Sequence, residues 1–312
     1  TFSKFEVIAV DNGSVDDSMV VLRGLIEPRI RVVSLPVNRG FAGGCNAGIA
    51  IAQGRYIATL NNDAVADPRW LEELVAGIET HPLVGMCASK ILFYGDRTRI
   101  DKVGHLIYPD GLNHGRASGE RDEGQFDRRE EVLFPDAAAA LYRRGMLDVI
   151  GLFDERFFAY GDDADLGLRG RLAGWTCLYI PTAIVYHMHS ATAGEFSPLK
   201  AFLIERNRIW VAVKTFPLSL LVVSPFFTIA RFAYHAYGSL FMVGSSGQYA
   251  AECSRPRLAL MILKAYWSGV KGFPEMWRAR RKIRRFARMT NRDFAALIRR
   301  YRISLRALTL GT

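Results

Sequence analysis

The chain has 312 residues, and half of them are hydrophobic, which is enough to form the core of one large domain or two smaller ones. Its net charge of +10 arises in a C-terminal segment, because residues 278–306 hold twelve Lys or Arg and only one acidic residue. The four cysteines are far apart and form no Cys-x-x-Cys pair, which argues against a zinc site or a disulfide framework.

The first ninety residues alternate short apolar runs with helical patterns. The runs predict strands over residues 7–10, 31–35 and 56–60, and the patterns between and after them predict helices over 14–22, 45–53 and 69–79. Strand, turn and helix repeated at this spacing predict a doubly wound α/β fold with a mostly parallel sheet. Ligands bind such sheets at the carboxyl ends of the strands, which is where Asp11 and Asp63 lie.

The next segment, residues 90–133, is irregular and rich in Gly, Asp and Arg. It is typical of loop-rich structure that faces a substrate, or of a mobile flap. Regular patterns return over residues 137–149, and strand-like runs over 178–186 end at His187. We therefore expect a first domain over residues 1–198.

The character of the chain changes after residue 198, and we expect a helical region over 199–312 that is first apolar and then strongly basic. The apolar run 218–243 is long enough to cross a bilayer, but Pro225, Arg231 and His235 interrupt it. It is either a kinked spanning helix, a helical hairpin in the interface or a buried subdomain. The basic tail favours membrane association, since Lys and Arg are drawn to anionic cytoplasmic lipid. The tail matches no nucleic-acid-binding module, so no nucleic acid partner is expected.

Three carboxylates lie within four residues, at Asp162, Asp163 and Asp165, just after an aromatic patch. One interpretation is the acidic N-terminus of a helix, where carboxylates cap the backbone and face the helix dipole. The other is a catalytic site, where a crowded carboxylate serves as a base. The run alone leaves both open.

Four segments in order place this run in context. They are VDNGSVDDS (10–18), NRGFAGGCNAG (38–48), LNND (60–63) and YGDDADL (160–166). In order and spacing, over roughly residues 5 to 216, the chain resembles the inverting nucleotide-sugar glycosyltransferases of family 2, which have the GT-A fold. It looks most like the rhamnosyltransferases and related enzymes that build bacterial surface polysaccharides.

The resemblance implies transfer of a sugar from a nucleotide diphosphate sugar, with dTDP-rhamnose as one possible donor, to a saccharide or lipid-linked acceptor. Such transfer needs a base that deprotonates the acceptor hydroxyl. Asp163 falls on the family's base position. Asp162, which stands where Glu is commoner, is the second residue expected at the catalytic position. Asp162 and Asp165 are expected to bind acceptor or to support the site structurally.

The resemblance also implies a donor site with Mg²⁺ or Mn²⁺. Asp63 occupies the metal-binding position of the family's DxD motif, and His187 resembles a family histidine near the metal and the diphosphate. Asp11 resembles the residue that binds the nucleotide base. The remaining expected donor-site residues are Asn38, Gly40, Asn46, Asn61 and Asn62.

The chain departs from the family at its start. Complete members have one more strand and helix before the strand at residues 7–10, so we expect an N-terminal truncation. The missing strand would lie next to those that carry Asp11 and Asp63, and without it the chain should bind donor weakly, fold poorly or have an open edge between strands. Either the chain is an enzyme at the cytoplasmic face of the bacterial inner membrane, peripheral or with a short embedded segment, or it is a catalytically impaired, membrane-tethered binding module.

Overall fold

The computed structural model describes residues 1–188, 197–241 and 255–310. Strands and helices alternate in the first part: β1 (Val7–Asp11), α1 (Ser18–Arg23), β2 (Ile30–Ser34), α2 (Gly40–Ile51), β3 (Tyr56–Leu60), β4 (Ala64–Ala66) and α3 (Trp70–Glu79). The chain continues through β5 (Val84–Phe93), β6 (Ile100–Lys102), β7 (His105–Ile107), β8 (Asn113–Gly115), β9 (Glu130–Val132), β10 (Ala139–Arg143) and α4 (Arg144–Ile150). A short 3₁₀ turn, Glu155–Phe157, then leads to α5 (Asp162–Leu172) and β11 (Thr176–His187).

The larger sheet has the strand order β3-β10-β5-β11-β4, with β6 beside β5 and β9 beside β11. β10 runs antiparallel to both of its neighbours, while β11 runs parallel to β5 and antiparallel to β4. The predicted α/β fold of the GT-A type is confirmed. The sheet is mixed rather than mostly parallel, because β10 lies between β3 and β5 and opposes each of them.

β1 and β2 form a separate parallel pair. Across the three described ranges, no ladder joins β1 to β3, and each of these strands has a single strand partner. A cleft of 2580 Å³ is lined along one wall by all of β1 and along the other by all of β3. The expected open edge between the strands that carry Asp11 and Asp63 is therefore present.

The segment that reads as irregular holds much of the regular structure around the site. β5 is buried along nearly its whole length and lies at the centre of the larger sheet. α3 covers one face of this sheet through Leu74 and Ile78, which pack in a cluster with Ile180 of β11. β6 and β7 follow a short loop after β5, so they bring polar residues to the edge of the cleft.

The described residues after 197 are mostly helical, as expected for this region. They form α6 (Pro198–Thr215), α7 (Leu218–Phe241), α8 (Arg255–Lys271), α9 (Phe273–Phe286), α10 (Asn291–Arg300) and α11 (Leu305–Leu310). Ser197 caps α6, since its side chain accepts a hydrogen bond from the backbone of Lys200. α6 packs against α5, α8 and α9 and so connects the helical region to the sheet.

Helix α7 is apolar and long enough over Leu218–Gly238 to cross a membrane, by length and composition. Several of its apolar side chains are exposed, including Val222 and Phe226, which are 70% and 71% exposed. This surface is compatible with membrane association. The end of the predicted apolar run, residues 242–243, lies outside the described residues.

Arg231 of α7 is buried, in contrast to the apolar residues around it. Its guanidinium donates to Asp110 Oδ2 at 2.8 Å and to Glu205 Oε1 of α6 at 2.7 Å. A buried cation with two carboxylate partners holds its helix firmly, because separating them leaves uncompensated charge. α7 is therefore fixed to α6 and to the loop between β7 and β8.

Candidate active site

Asp63 and His187 lie side by side because β4 pairs with β11. The register places His187 opposite Ala64, so the preceding Asp63 faces the end of β11. His187 Nε2 lies 3.1 Å from Asp63 Oδ1, and His187 Nδ1 lies 2.8 Å from Asp101 Oδ2 on β6. The two residues predicted to bind metal are thus in contact. Asp101, which was not predicted, contacts the other ring nitrogen of His187.

This arrangement fits a divalent cation. A buried carboxylate on one ring nitrogen orients a metal-binding histidine and raises its basicity. Burial would lower the pKa of His187, but the hydrogen bond and charge of Asp101 outweigh it and the pKa is raised. One carboxylate and one imidazole leave the other positions of a metal open for water and phosphate oxygens.

The second group of site residues surrounds Asp163 at the start of α5. His105 Nε2 of β7 lies 3.4 Å from Asp163 Oδ2 and 3.1 Å from Asp136 Oδ2. Asn113 of β8 lies 3.2 Å from His105 Nδ1 through its amide nitrogen. The imidazole is therefore held between the predicted base and a second carboxylate.

Lys102 connects the two groups. Its Nζ donates to Asp136 Oδ2 at 2.6 Å and lies 4.0 Å from Asp101 Oδ1. Burial would lower the pKa of Lys102, but the charges of Asp101 and Asp136 raise it, so the ammonium stays charged. Polar and charge contacts therefore link Asp163 to Asp63 through Lys102, and the longest of them are the 3.4 Å approach of His105 to Asp163 and the 4.0 Å ion pair of Lys102 with Asp101.

The carboxyls at the start of α5 are less acidic than usual. Burial, and then the charge of Asp163, raises the pKa of Asp162 well above its usual range. Burial also raises the pKa of Asp163, against the opposing effect of His105. Asp162 Oδ2 is buried and has no hydrogen-bond partner among the described residues. A carboxyl with a raised pKa beside a cleft is suited to take up a proton.

A second possible cation site overlaps this group. Ligand atoms of His105, Asp136 and Asp163 lie within 4.8 Å of one another. The ammonium of Lys102, 2.6 Å from Asp136, already supplies positive charge there. A divalent ion beside it would face a like charge, which disfavours a metal within this group.

The glycine-rich segment 38–48, called the donor loop here because donor-site residues are expected in it, meets the end of β1. Asp11 accepts a hydrogen bond from the Ser14 backbone at 3.1 Å, and the pKa of Asp11 is lowered chiefly by its hydrogen bond with the Ser14 side chain. Asn12, which the sequence interpretation passed over, donates to Gly40 O at 2.8 Å and holds the loop to the strand. The predicted donor-site residues that line the cleft are Asp11, Asn38, Gly40, Asn61, Asn62 and Asp63.

Two predicted substrate-binding residues do not belong to the described lining of the cleft. Asn46 uses its amide on Phe153, donating to the carbonyl at 2.9 Å and accepting from the backbone at 3.1 Å. Asp165 is fully buried between Arg169 and Lys214, at 2.8 and 2.6 Å. In both cases the polar atoms are used in contacts within the protein. For Asp165 these contacts favour the expected structural role over acceptor binding.

The residues that the sequence interpretation missed are His105, Asp136, Lys102 and Asp101. Three of them lie in the segment that reads as irregular, and none belongs to a motif. The signal that could have found them is the charge pattern: Asp101, Lys102 and His105 follow one another after a short strand-like run.

Comparison with known proteins identifies a family profile, sequence relatives and a solved structure to which this chain is similar. Residues 1–151 match the sequence profile of the family described as Glycosyl transferase family 2. The chain is 30% identical over 244 residues to N-acetylglucosaminyl-diphospho-decaprenol L-rhamnosyltransferase of Mycobacterium tuberculosis, covering 65% of this chain and 76% of the relative. It is 28% identical over 201 residues to the O-antigen biosynthesis protein RfbC of Myxococcus xanthus, covering 61% of this chain.

The chain spans 24% of the length of the protein y4gI of Sinorhizobium fredii and 15% of the length of RfbC, two curated relatives that it matches. Among solved structures, GalNAc-T7 with UDP, GalNAc and Mn²⁺ superposes with a TM-score of 0.54 at 14% identity, covering 67% of this chain and 41% of that one. At this identity the likeness concerns the fold.

Proposed function

This chain is a glycosyltransferase of family 2, and from that premise we propose that it transfers a sugar, with inversion, from a nucleotide diphosphate sugar to a lipid-linked saccharide in surface polysaccharide synthesis. The observation that carries the proposal is the contact series from Asp63 to Asp163 at one cleft. It puts a cation-binding pair and a carboxylate of raised pKa within one connected site.

In this proposal Asp163 accepts the proton of the acceptor hydroxyl as that oxygen attacks the anomeric carbon. His105 holds this carboxylate, since its Nε2 lies between the carboxyls of Asp163 and Asp136. Asp162, whose buried oxygen has no hydrogen-bond partner among the described residues, is available to an acceptor hydroxyl.

The donor binds at the opposite end of the series. Asp63 and His187 would hold Mg²⁺ or Mn²⁺, which neutralises charge on the leaving diphosphate. Asp11, at the end of β1, would bind the nucleotide base, while Asn38, Asn61 and Asn62 face the same cleft. dTDP-rhamnose is the first donor to test, because a relative that covers much of this chain is a rhamnosyltransferase by name.

We place the acceptor at a membrane. The exposed apolar side chains of α7 supply a surface for lipid, and α9 exposes the basic residues Arg278, Arg281, Lys282 and Arg285. Such a combination binds anionic leaflets peripherally. The cleft also reaches Ile204, Phe232 and Ile262 between α6, α7 and α8, an apolar path that suits the lipid part of an acceptor. We therefore assign the chain to the cytoplasmic face of the bacterial inner membrane.

The test is a transfer assay on the full chain with anionic vesicles that carry N-acetylglucosaminyl-diphospho-polyprenol. The donors are dTDP-rhamnose and a panel of UDP- and GDP-sugars, with Mn²⁺, Mg²⁺ or EDTA. We expect transfer with an inverted anomeric centre, lost in EDTA, and reduced about 10²–10⁴-fold by Asp163→Asn. The matched control is Asp148→Asn on the exposed side of α4.

Binding of a donor without release of nucleotide diphosphate, under every metal condition, would instead identify a binding module. Equal rates for Asp163→Asn and Asp148→Asn would remove Asp163 from the role of base. Transfer that is equally fast without vesicles, to a soluble saccharide, would contradict the membrane part of the proposal alone.

A further inference from the structure

The turn that leads into α5 has an unusual backbone. Phe158 has φ 68° and ψ −64°, and the Ala159 N–H donates to Phe157 O at 2.9 Å, which together form a γ-turn of the rare, strained type. Tyr160 follows with φ 63°. Two residues with side chains at positive φ are unfavourable unless their surroundings hold them in place.

This turn immediately precedes Asp162 and Asp163, so its path sets the positions of both carboxyls. It also fits closely against the donor loop. A Cβ on Gly40 would lie 2.2 Å from Phe158 O, and the Ala42 N–H donates to the same oxygen at 3.3 Å. The strained turn therefore lies between the donor loop and the two carboxyls.

Asn207 of α6 holds the turn from the other side. It is fully buried, and its Nδ2 lies 3.0 Å from Phe157 O, 2.8 Å from Ala159 O and 2.6 Å from Tyr160 O. The two N–H groups of this amide thus face three carbonyls around the γ-turn, and one of these, Phe157 O, also accepts from Arg206 Nη2 at 2.8 Å. The Asn207 Oδ1 accepts a hydrogen bond from Arg206 Nε at 2.9 Å, and this contact orients the amide with its nitrogen toward the turn.

Other side chains would not serve in this place. A carboxylate at 207 would put oxygen against three carbonyl oxygens, and an apolar side chain would remove the amide donor from the partly buried carbonyls of Ala159 and Tyr160. Among the described residues, the cleft is lined by the neighbours Ile204, Glu205 and Arg208 rather than by Asn207. Asn207 thus acts on the site through the turn.

We propose that Asn207 is a positioning residue, which holds the γ-turn at Phe158 in its strained form and thereby fixes Asp162 and Asp163 for transfer. The inference rests on the proposed function for its catalytic consequence. Its structural part, the restraint of the turn by α6, stands on the three amide contacts and can be measured without turnover.

The experiment uses the full chain and compares Asn207→Ala with Thr215→Val. Thr215 is also a buried polar residue of α6, but its hydroxyl donates within the helix, to Val211 O at 2.7 Å. Hydrogen exchange followed by mass spectrometry reports on the peptide 157–163. We expect exchange there to be about 10-fold faster or more in Asn207→Ala and unchanged in Thr215→Val, since local opening follows loss of the hydrogen bonds.

In the transfer assay with dTDP-rhamnose, or with whichever panel donor is active, we expect Asn207→Ala to lower kcat about 10- to 100-fold, because small displacements of reacting groups have such effects. KM for the donor should change less than about 3-fold, as the donor loop and metal residues are untouched. Thr215→Val should keep the kcat of the native chain.

A second-site variant separates positioning from general packing. Phe158→Gly allows positive φ at that residue without strain, so the turn needs less restraint. Placed in the Asn207→Ala background, it should recover part of the lost kcat, and the two changes should be non-additive. A drop in kcat that Phe158→Gly does not relieve, or unchanged exchange at 157–163, overturns the proposal. Absence of transfer by the native chain rejects the proposed function, while the exchange result still decides whether Asn207 restrains the turn.

Discussion

Lys102 donates a 2.6 Å hydrogen bond to Asp136 while its ammonium lies 4.0 Å from Asp101. Each of these carboxylates contacts a different histidine: Asp136 contacts His105, which lies beside Asp163, and Asp101 contacts His187, which lies beside Asp63. A single cation therefore stabilises both halves of the site, and the two halves cannot be perturbed independently at this point.

Replacing that cation tests the connection. Lys102→Met leaves two buried carboxylates uncompensated, and we expect it to lower the free energy of unfolding by about 3–5 kcal/mol and to abolish transfer. Urea unfolding and the transfer assay measure the two effects. Lys102→Arg should retain part of both properties because it keeps the charge, and Lys264→Met, at an exposed lysine of α8, should change neither. Full activity in Lys102→Met would show that the carboxylates hold their histidines without it.

Asp162 should make the stability of the protein fall as pH rises. Its pKa is raised in the folded state, so the unfolded chain ionises first and binds fewer protons over the window between the usual value of 3.8 and the raised one. The stabilising effect of the neutral form is complete below that window and is lost through it, at about 1.4 kcal/mol for each pH unit.

The corresponding measurement is thermal unfolding of Asp162→Asn from pH 4 to pH 8. We expect the variant to match the native chain at the acid end and to be more stable at the alkaline end. Asp148→Asn, at an exposed position, controls for the loss of one charge. A difference that is constant across this range would mean that Asp162 ionises normally in the fold.

Gly40 is required by the close approach of the donor loop to the γ-turn. Gly40 has φ 71°, a backbone conformation that alanine rarely adopts, and the Cβ of an alanine at this position would lie 2.2 Å from Phe158 O. Alanine is therefore disfavoured by both the backbone conformation and this contact. We expect Gly40→Ala to destabilise the protein by about 2–5 kcal/mol and to slow transfer. Gly145→Ala is the matched control, since a Cβ there meets nothing within 4 Å, and it should stabilise α4 by up to about 1 kcal/mol. If this explanation holds, chemical unfolding will show a lower free energy of unfolding for Gly40→Ala and a higher one for Gly145→Ala than for the native chain.

Arg231 should determine whether α7 stays attached to α6. Arg231→Met removes one of the two buried arginines that pair with Asp110 and Glu205, and Arg208 remains as the other. We expect a loss of about 1–3 kcal/mol together with faster chymotrypsin cleavage within α7. Arg278→Met, at an exposed arginine of α9, provides the comparison. Unchanged cleavage would indicate that apolar packing alone holds the helix.

The sequence predicted the parts of the site that lie in contiguous motifs. Asp11 and Asp63 end strands, and Asp163 begins a helix, so local patterns located them and the fold brought them to one cleft. Asp162 is buried beside Asp163 in the first turn of α5, a position that both interpretations of the acidic run allow. These positions are recognisable because turn and strand signals are short-range.

The remaining site residues depend on contacts that are distant in sequence. His105 meets Asp136 across 31 residues and Asp101 meets His187 across 86. The second pairing arises because β6, which carries Asp101, and β11, which carries His187, both pair with the long buried strand β5. A buried run such as β5 lacks the polar alternation that marks a half-exposed strand, so its pattern was not informative. Asn46 lies in the motif, but its amide is used by the segment after α4. Type and spacing alone do not distinguish a ligand from an internal partner.

The cleft between β1 and β3 has a consequence for the behaviour of this 312-residue chain in solution. Each strand presents an edge of backbone N–H and C=O groups, and Leu60 on one wall is 44% exposed. Such edges are templates on which further strands assemble, from another copy of the chain or from any extended peptide. Self-association should therefore increase with protein concentration and start at the cleft that holds the donor-site residues. In purified samples, loss of activity and growth of oligomers would then share one origin, and a peptide strand added to occupy these edges would suppress the growth of oligomers.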